Sequence, residues 1–225
     1  VVWLLPLLVV ASNLGAKGLE HYGWAAQRSE FLAAEQALQR GKLQEYQRLK
    51  AQLRDYPLYP YLEYEALRKN LKPAKRGEVD RFLTEHADTP LAGRLLSAWL
   101  DLLAQQHRWR EFLDYYQPTA QTTRNCQRLQ ALIETGSRTE AFAEVPGVWL
   151  HGKSQPKACD PLFAKLKKSG LFNQELFWER FEAAMSNNKT SLAKYVKSLM
   201  TSGDQKIAEL WLQLHRAGET EELFQ

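Results

Sequence analysis

From Trp24 onward one pattern recurs along the chain: a short amphipathic stretch, a glycine, proline or polar break, then another stretch. Over 24–40, Trp24, Phe31, Leu32 and Leu38 fall on a helical period and Gly41 interrupts it. Over 43–53, Leu43, Tyr46, Leu49 and Leu53 lie three or four apart, which makes one continuous apolar stripe on a helix. Asp55-Tyr56-Pro57 stops that helix, because the residue before a proline avoids the helical region. Pro60 suits the first turn of the next helix, 61–69. The rhythm predicts a short helix over 77–85, with Val79, Phe82 and Leu83 inward. A longer one opens at Pro90 behind a cap at Asp88 or Thr89 and buries Leu95, Leu96, Trp99, Leu102 and Leu103. Further helices follow over 109–116, 124–134, 139–150, 157–169, 175–185, 191–200 and 205–214, and Gly170 reads as a left-handed cap.

No strand-like alternation interrupts the series. Short helices on tight turns pack as antiparallel neighbours, and a row of such pairs builds an α-solenoid in which each pair buries its face on the next. The spacings drift too far for a strict ~34-residue repeat. The expected fold class is therefore all-α: an irregular α-solenoid or superhelix of short antiparallel helix pairs. A compact helical bundle is the alternative.

The N-terminal stretch departs from this pattern. Residues 1–16 carry no charge and 1–11 are almost entirely apolar. At ~1.5 Å per residue such a run is too short for a hydrocarbon core of ~30 Å, so no integral membrane span is expected. An apolar core followed by Gly15 and Ala16 reads as an export signal, with a buried helix as the alternative. Neither an initiator Met nor a basic leader precedes it. The expected division is a signal remnant at 1–20 and a helical-repeat domain at 21–225, truncated at its C-terminal end.

Composition changes the picture little. The chain is 44% hydrophobic and 25% charged, with a net charge of +4. A mild positive excess suits an anionic polymer, but acidic residues are mixed among the basic ones, so no nucleic-acid partner is expected. In an exported chain the two cysteines, Cys126 and Cys159, would pair as one disulfide; two unrelated buried thiols are the alternative. No histidine stands at ligand spacing beside either, so no metal is expected there.

Candidate chemistry is sparse. The five histidines form no i,i+4 pair and no H-E-x-x-H, and Glu85, His86 and Asp88 at the end of a short helix read as capping and solvent-exposed residues. There is no G-x-S-x-G, phosphate-binding loop or G-x-G-x-x-G. Glu63 with Glu65, and Glu221 with Glu222, fall on different faces or a solvated edge, whereas glycoside chemistry needs a protonated acid in a cleft. No catalytic residue, metal or cofactor is expected. The run Tyr56, Pro57, Tyr59, Pro60, Tyr61 and Tyr64 could stack on sugars, but the simpler reading packs alternate tyrosines into a helix junction. Trp99, Trp109, Trp149, Trp178 and Trp211 read as core, and Lys165, Lys167 and Lys168 as a solvated basic edge.

Two segments carry a resemblance. Asp55-Tyr-Pro-Leu-Tyr-Pro-Tyr-Leu-Glu-Tyr64 resembles a signature near the start of the soluble lytic murein transglycosylases. The stretch from Trp149 through Gly152, Lys153, Ser154, Gln155 and Pro156 to Cys159 and Phe163 is similar to another segment of that family. Asn125-Cys126 matches the family's first cysteine, at the spacing the resemblance gives for a partner at Cys159. The similarity runs over about 24–215 and weakens toward its C-terminal end. It implies a periplasmic enzyme of a Gram-negative bacterium that cuts the bond between N-acetylmuramic acid and N-acetylglucosamine without water and leaves a 1,6-anhydromuramic end. In that family a lysozyme-like domain supplies one catalytic glutamate, and its Glu-Ser, Gly-Leu-Met-Gln and Ala-Tyr-Asn segments occur nowhere in this chain. The resemblance therefore implies the first part of the family's U-shaped helical domain, a non-catalytic scaffold whose partner is the peptidoglycan glycan strand. A free-standing periplasmic adaptor for other proteins is the alternative.

Overall fold

Helix follows helix at nearly the positions that the apolar spacing sets. In the computed structural model, which describes residues 24–170 and 173–222, the chain is 75% helical with no strand among the described residues. The helices are α1 (Ala25–Gln39), α2 (Leu43–Ala51), α3 (Tyr59–Lys69), α4 (Arg76–Glu85), α5 (Pro90–Gln105), α6 (Trp109–Tyr115), α7 (Thr122–Thr135) and α8 (Arg138–Trp149). A 3-10 turn (Lys157–Cys159) leads into α9 (Asp160–Lys168), followed by α10 (Gln174–Ser186), α11 (Thr190–Lys197) and α12 (Ser202–Glu222). Neighbours in sequence pack on one another, α1 on α2, α7 on α8 and α10 on α11, which is the all-α solenoid class. The expected signal remnant at 1–20 lies outside the described residues.

Local chemistry sets the boundaries. Tyr59 opens α3, so Pro60 sits in its first turn, where the missing N–H costs no helix bond. Gly136 and Gly170 close α7 and α9 at φ +105° and +73°, a region that favours glycine. Asn173 caps α10 by accepting from the Leu176 N–H at 3.0 Å. The stretch expected as one helix over 157–169 is instead a 3-10 turn that passes into α9, with Pro161 in the first turn of α9.

The chain divides after Trp99 into two compact units. The first unit has a core of Phe31, Ala34, Leu38, Tyr46, Leu49, Leu53, Tyr56 and Leu62. The second is built around Leu129, Trp149, Leu162, Phe163, Phe177 and Phe181, with Cys126 and Cys159 fully buried among them. Those two cysteines close a 33-residue separation, with Cα atoms 5.0 Å apart and sulfurs 2.02 Å apart.

Four apolar residues depart from the expected stripes, among them Trp24, 39% exposed. Leu32 is 50% exposed and Leu43 57%, while Trp211, read as core, is 40% exposed. On α1 the buried face is Phe31, Ala34 and Leu38, and Leu32 lies ~100° around the helix from Phe31. Trp211 joins Ile207, Leu210 and Leu214 in an exposed stripe on α12, although its ring still touches Phe181 at 5.6 Å. Among the described residues no helix is long and apolar enough to cross a membrane.

Candidate functional site

In the first unit the proline-tyrosine segment does mostly packing. Tyr56 is buried with its ring 5.5 Å from both Trp24 and Phe31. Tyr64 is buried against Phe82 at 6.3 Å, while Tyr61 and Pro57 face solvent. Pro60 is half-buried in the first turn of α3. The Tyr59 hydroxyl donates to the Glu63 carboxylate at 3.2 Å instead of to water or a backbone carbonyl.

Glu63 is the hub of that region. Its Oε1 also accepts from the Lys50 ammonium at 2.7 Å, and its Oε2 lies 2.9 Å from His86 Nε2. All three side chains are at most 19% exposed. Burial pushes the Glu63 carboxyl up, but hydrogen bonds from Lys50 and His86, the Lys50 charge and the Tyr59 hydroxyl outweigh it. The group is held below the usual carboxylate range and stays ionised. An ionised carboxylate only accepts, so His86 carries its proton on Nε2. Beneath, the Tyr46 hydroxyl donates to the Leu62 carbonyl at 2.8 Å; burial first, then Glu63 and Tyr59, push its pKa up.

His86 therefore differs from its sequence reading. It closes a buried network with a residue 23 positions earlier, a pairing that local spacing does not reveal. The Glu85 carboxylate completes a group with Glu63 and His86 whose ligand atoms lie within 4.8 Å of one another. These are the residues that could hold a divalent ion, yet Glu63 already satisfies His86 on one oxygen and Lys50 on the other. Beside the network, α2, α3 and α4 enclose a cavity of about 350 Å³, reached by Lys50, Glu63, Arg81 and Glu85.

In the second unit, the 149–163 segment is anchored from within. Trp149 is fully buried; its Nε1 donates to the Leu176 carbonyl at 3.0 Å and its ring meets Phe163 edge-on at 4.9 Å. The Arg180 guanidinium lies 3.8 Å from the centre of that ring and 5.2 Å from that of Phe163. Arg180 is only 3% exposed, and its Nε and Nη1 have no hydrogen-bond partner among the described residues. Burial pushes its pKa down to about 10, which still leaves it cationic at neutral pH.

Gly152 has a steric reason to be glycine. A Cβ there would run into the Ala183 carbonyl and the Asn187 side chain of the adjacent helix end. Lys153, Ser154 and Pro156 face solvent and Gln155 is half-buried, so this part of the motif presents polar groups outward. Gln130 holds the far end by donating to the Ala158 carbonyl at 2.6 Å. Of the expected basic edge Lys165 is paired with Glu134, while Lys167 keeps its charge and donates to the Tyr195 hydroxyl at 2.7 Å.

No protein-family model matches the chain. It is 32% identical over 209 residues to the soluble lytic murein transglycosylase of Escherichia coli K12, covering 92% of this chain and 32% of that protein. The crystal structure of the 70 kDa soluble lytic transglycosylase from Escherichia coli superimposes with a TM-score of 0.74 at 32% identity, over 85% of this chain and 31% of that one. An inactive mutant of the lytic transglycosylase Slt from Pseudomonas aeruginosa gives a TM-score of 0.70 at 37% identity, over 84% of this chain and 32% of its own. The chain thus spans about a third of the length of the curated relatives it matches.

Proposed function

We propose, starting from the premise that the chain belongs to the soluble lytic murein transglycosylase family, that it forms a non-catalytic scaffold region of a periplasmic peptidoglycan lytic transglycosylase. In this reading the U-shaped helical domain guides glycan strands toward a catalytic centre that lies in the part of the relatives this chain does not match. That centre cleaves the bond between N-acetylmuramic acid and N-acetylglucosamine. The observation that carries the reading is the pattern of coverage: 92% of this chain matches, against 32% of the relative. The electrostatics agree with it. Cleavage with formation of an anhydro ring needs a carboxylic acid that is protonated at working pH. Glu63, the most enclosed carboxyl of the network, is held ionised by Lys50 and His86. In the oxidising periplasm Cys126 and Cys159 would stand as a disulfide.

A second reading, a protein-binding adaptor, draws on the exposed stripe of Ile207, Leu210, Trp211 and Leu214 on α12. Digestion of purified sacculi separates the two. The 225-residue chain and the Escherichia coli enzyme are incubated in parallel, soluble products are read by mass spectrometry, and chain bound to the sacculi is measured by cosedimentation. The scaffold reading expects anhydromuropeptides from the enzyme alone and cosedimentation of the chain. Anhydro products from the chain would sink the non-catalytic assignment, and no cosedimentation would favour the adaptor.

A further inference from the structure

The cavity of about 350 Å³ in the first unit is lined by charges of both signs, and they are not equally committed. On its floor Lys50 and Glu63 neutralise one another at 2.7 Å. At its rim Arg81 and Glu85 stand one turn apart on α4, about 6 Å along the axis. Neither has a hydrogen bond or ion pair among the described residues. Their order disfavours pairing with each other, since a basic residue N-terminal to an acidic one at i,i+4 is the weaker arrangement. Glu78 also lines the cavity, its carboxylate capping α4 by accepting from the Lys75 N–H at 2.8 Å. The cavity thus offers one guanidinium fork and one carboxylate without a partner, on a rigid helix, above a neutral floor and beside that capping carboxylate. Phe82, Leu67 and Ala66 supply the apolar part of its lining.

We propose that this cavity is a subsite for a short peptide end that carries both a free ammonium and a free carboxylate, the kind of zwitterion that peptide side chains of a wall polymer present. The proposal rests on the peptidoglycan-binding reading above. The ligand's carboxylate takes the planar fork of Arg81, which matches two oxygens at once. Its ammonium takes Glu85, with the ionised Glu63 oxygen that faces His86 behind it. Small side chains rest on Phe82. The volume lies at the low end for ligand pockets, room for about two small residues and not for a stretch of glycan. Both rim groups are exposed, so binding is weak for one peptide and gains its effect along a polymer that offers many.

The test titrates the 225-residue chain with alanyl-alanine, with its N-acetylated form and with its C-terminal amide, followed by amide shifts in NMR. The free dipeptide is expected to saturate in the low-millimolar range and to move signals of α2, α3 and α4. Blocking either end should weaken it by about two- to fivefold, the worth of one exposed ion pair. Glu85→Gln should remove the preference for a free amine and leave the preference for a free carboxylate; Arg81→Gln should do the reverse. Both positions are exposed, and an unchanged spectrum outside α4 establishes that each variant folds. Absence of saturating shifts, shifts elsewhere, or indifference to both substitutions overturns the subsite. Cosedimentation of the same preparation with sacculi tells the two ideas apart. Sacculus binding without dipeptide binding removes the subsite and keeps the scaffold. Charge-dependent dipeptide binding without sacculus binding keeps the subsite and removes the scaffold.

Discussion

Two sites, one in each unit, hold an enclosed charge in opposite ways, although the second unit also pairs a buried cation, Arg124, with Asp101 at 3.0 Å. In the first, Lys50, Glu63 and His86 satisfy one another, with distances of 2.7 and 2.9 Å around a single carboxylate. In the second, Arg180 is enclosed with two nitrogens unpartnered and rests on the faces of Trp149 and Phe163. A paired network can sit beside a cavity, because its charges remain strongly held when water or a ligand enters. A stacked guanidinium needs a dry aromatic platform, since cation–π attraction offsets lost hydration only where water is excluded. The first arrangement therefore suits a wall that meets ligand and the second suits a clamp inside a core.

Removing the platform is the sharpest way to break that contrast. Trp149→Ala deletes a fully buried ring, its bond to the Leu176 carbonyl and the surface under Arg180. A loss of about 3–5 kcal/mol is expected in denaturant unfolding. Hydrogen exchange should place that loss in the second unit and leave α1–α4 protected. Equal loss in both units would mean that they unfold as one and that the contrast has no energetic meaning. Serine at both Cys126 and Cys159 comes next. The 33-residue separation predicts a loss of roughly 3–4 kcal/mol in the chain-entropy model, again confined to the second unit. If wild-type protein purified under oxidising conditions melts with the double variant, the sulfurs are not bonded in solution.

The first unit is tested at Glu63. Glu63→Ala leaves Lys50 and His86 without their acceptor, and a loss of about 2–3 kcal/mol is expected. The sign of the pH dependence follows from the lowered pKa. The unfolded chain takes up the proton first, so Glu63 contributes its full stabilisation above the unfolded carboxyl value of about 4.3 and loses it as pH falls through the lower folded value. Glu144, Asp204 and Glu209 are pushed down as well, so the whole-chain slope mixes several groups. The difference between wild type and Glu63→Gln isolates one of them. Below about pH 4 that difference should shrink, and a constant difference would remove the ionised carboxylate from the account.

Much of this was legible in the sequence. The apolar spacing located all helices but the last to within a few residues, because a solenoid buries each stripe against the next element and leaves little freedom over which face turns inward. The last, expected over 205–214, runs on to Glu222 through Gly218. Trp24, Leu32, Leu43 and Trp211 were misassigned because an apolar side chain is not obliged to be buried. The tyrosine segment was read correctly as packing for Tyr56 and Tyr64, whereas Tyr59 turned its hydroxyl to a carboxylate. The Glu63–His86 pair could not be seen, since only the packing of α3 beside α4 brings positions 63 and 86 together. Arg180 did leave a signal. Phe177, Arg180, Phe181 and Ala184 fall at i, i+3, i+4 and i+7, so the arginine lies on the buried stripe of α10. A charge on an apolar stripe marks a residue whose partner must be sought.

That partner is the subject of the smallest expected effect. Arg180→Met keeps a long flexible stem in the same pocket and replaces the cation–π contact with a sulfur–aromatic one. It also removes the cost of an enclosed charge with two unpartnered nitrogens. The two changes oppose each other, and the net expectation is neutral to stabilising by about 1 kcal/mol in denaturant unfolding. Arg180→Lys should instead cost about 1–2 kcal/mol, because a compact, strongly hydrated ammonium cannot spread over the Trp149 ring as a planar guanidinium does. A methionine variant that loses more than about 2 kcal/mol would point to a hydrogen-bonded role for the cation. Arg180 would then be held as Glu63 is in the first unit and Arg124 in its own, by pairing, and the stacked clamp would be only half of the arrangement.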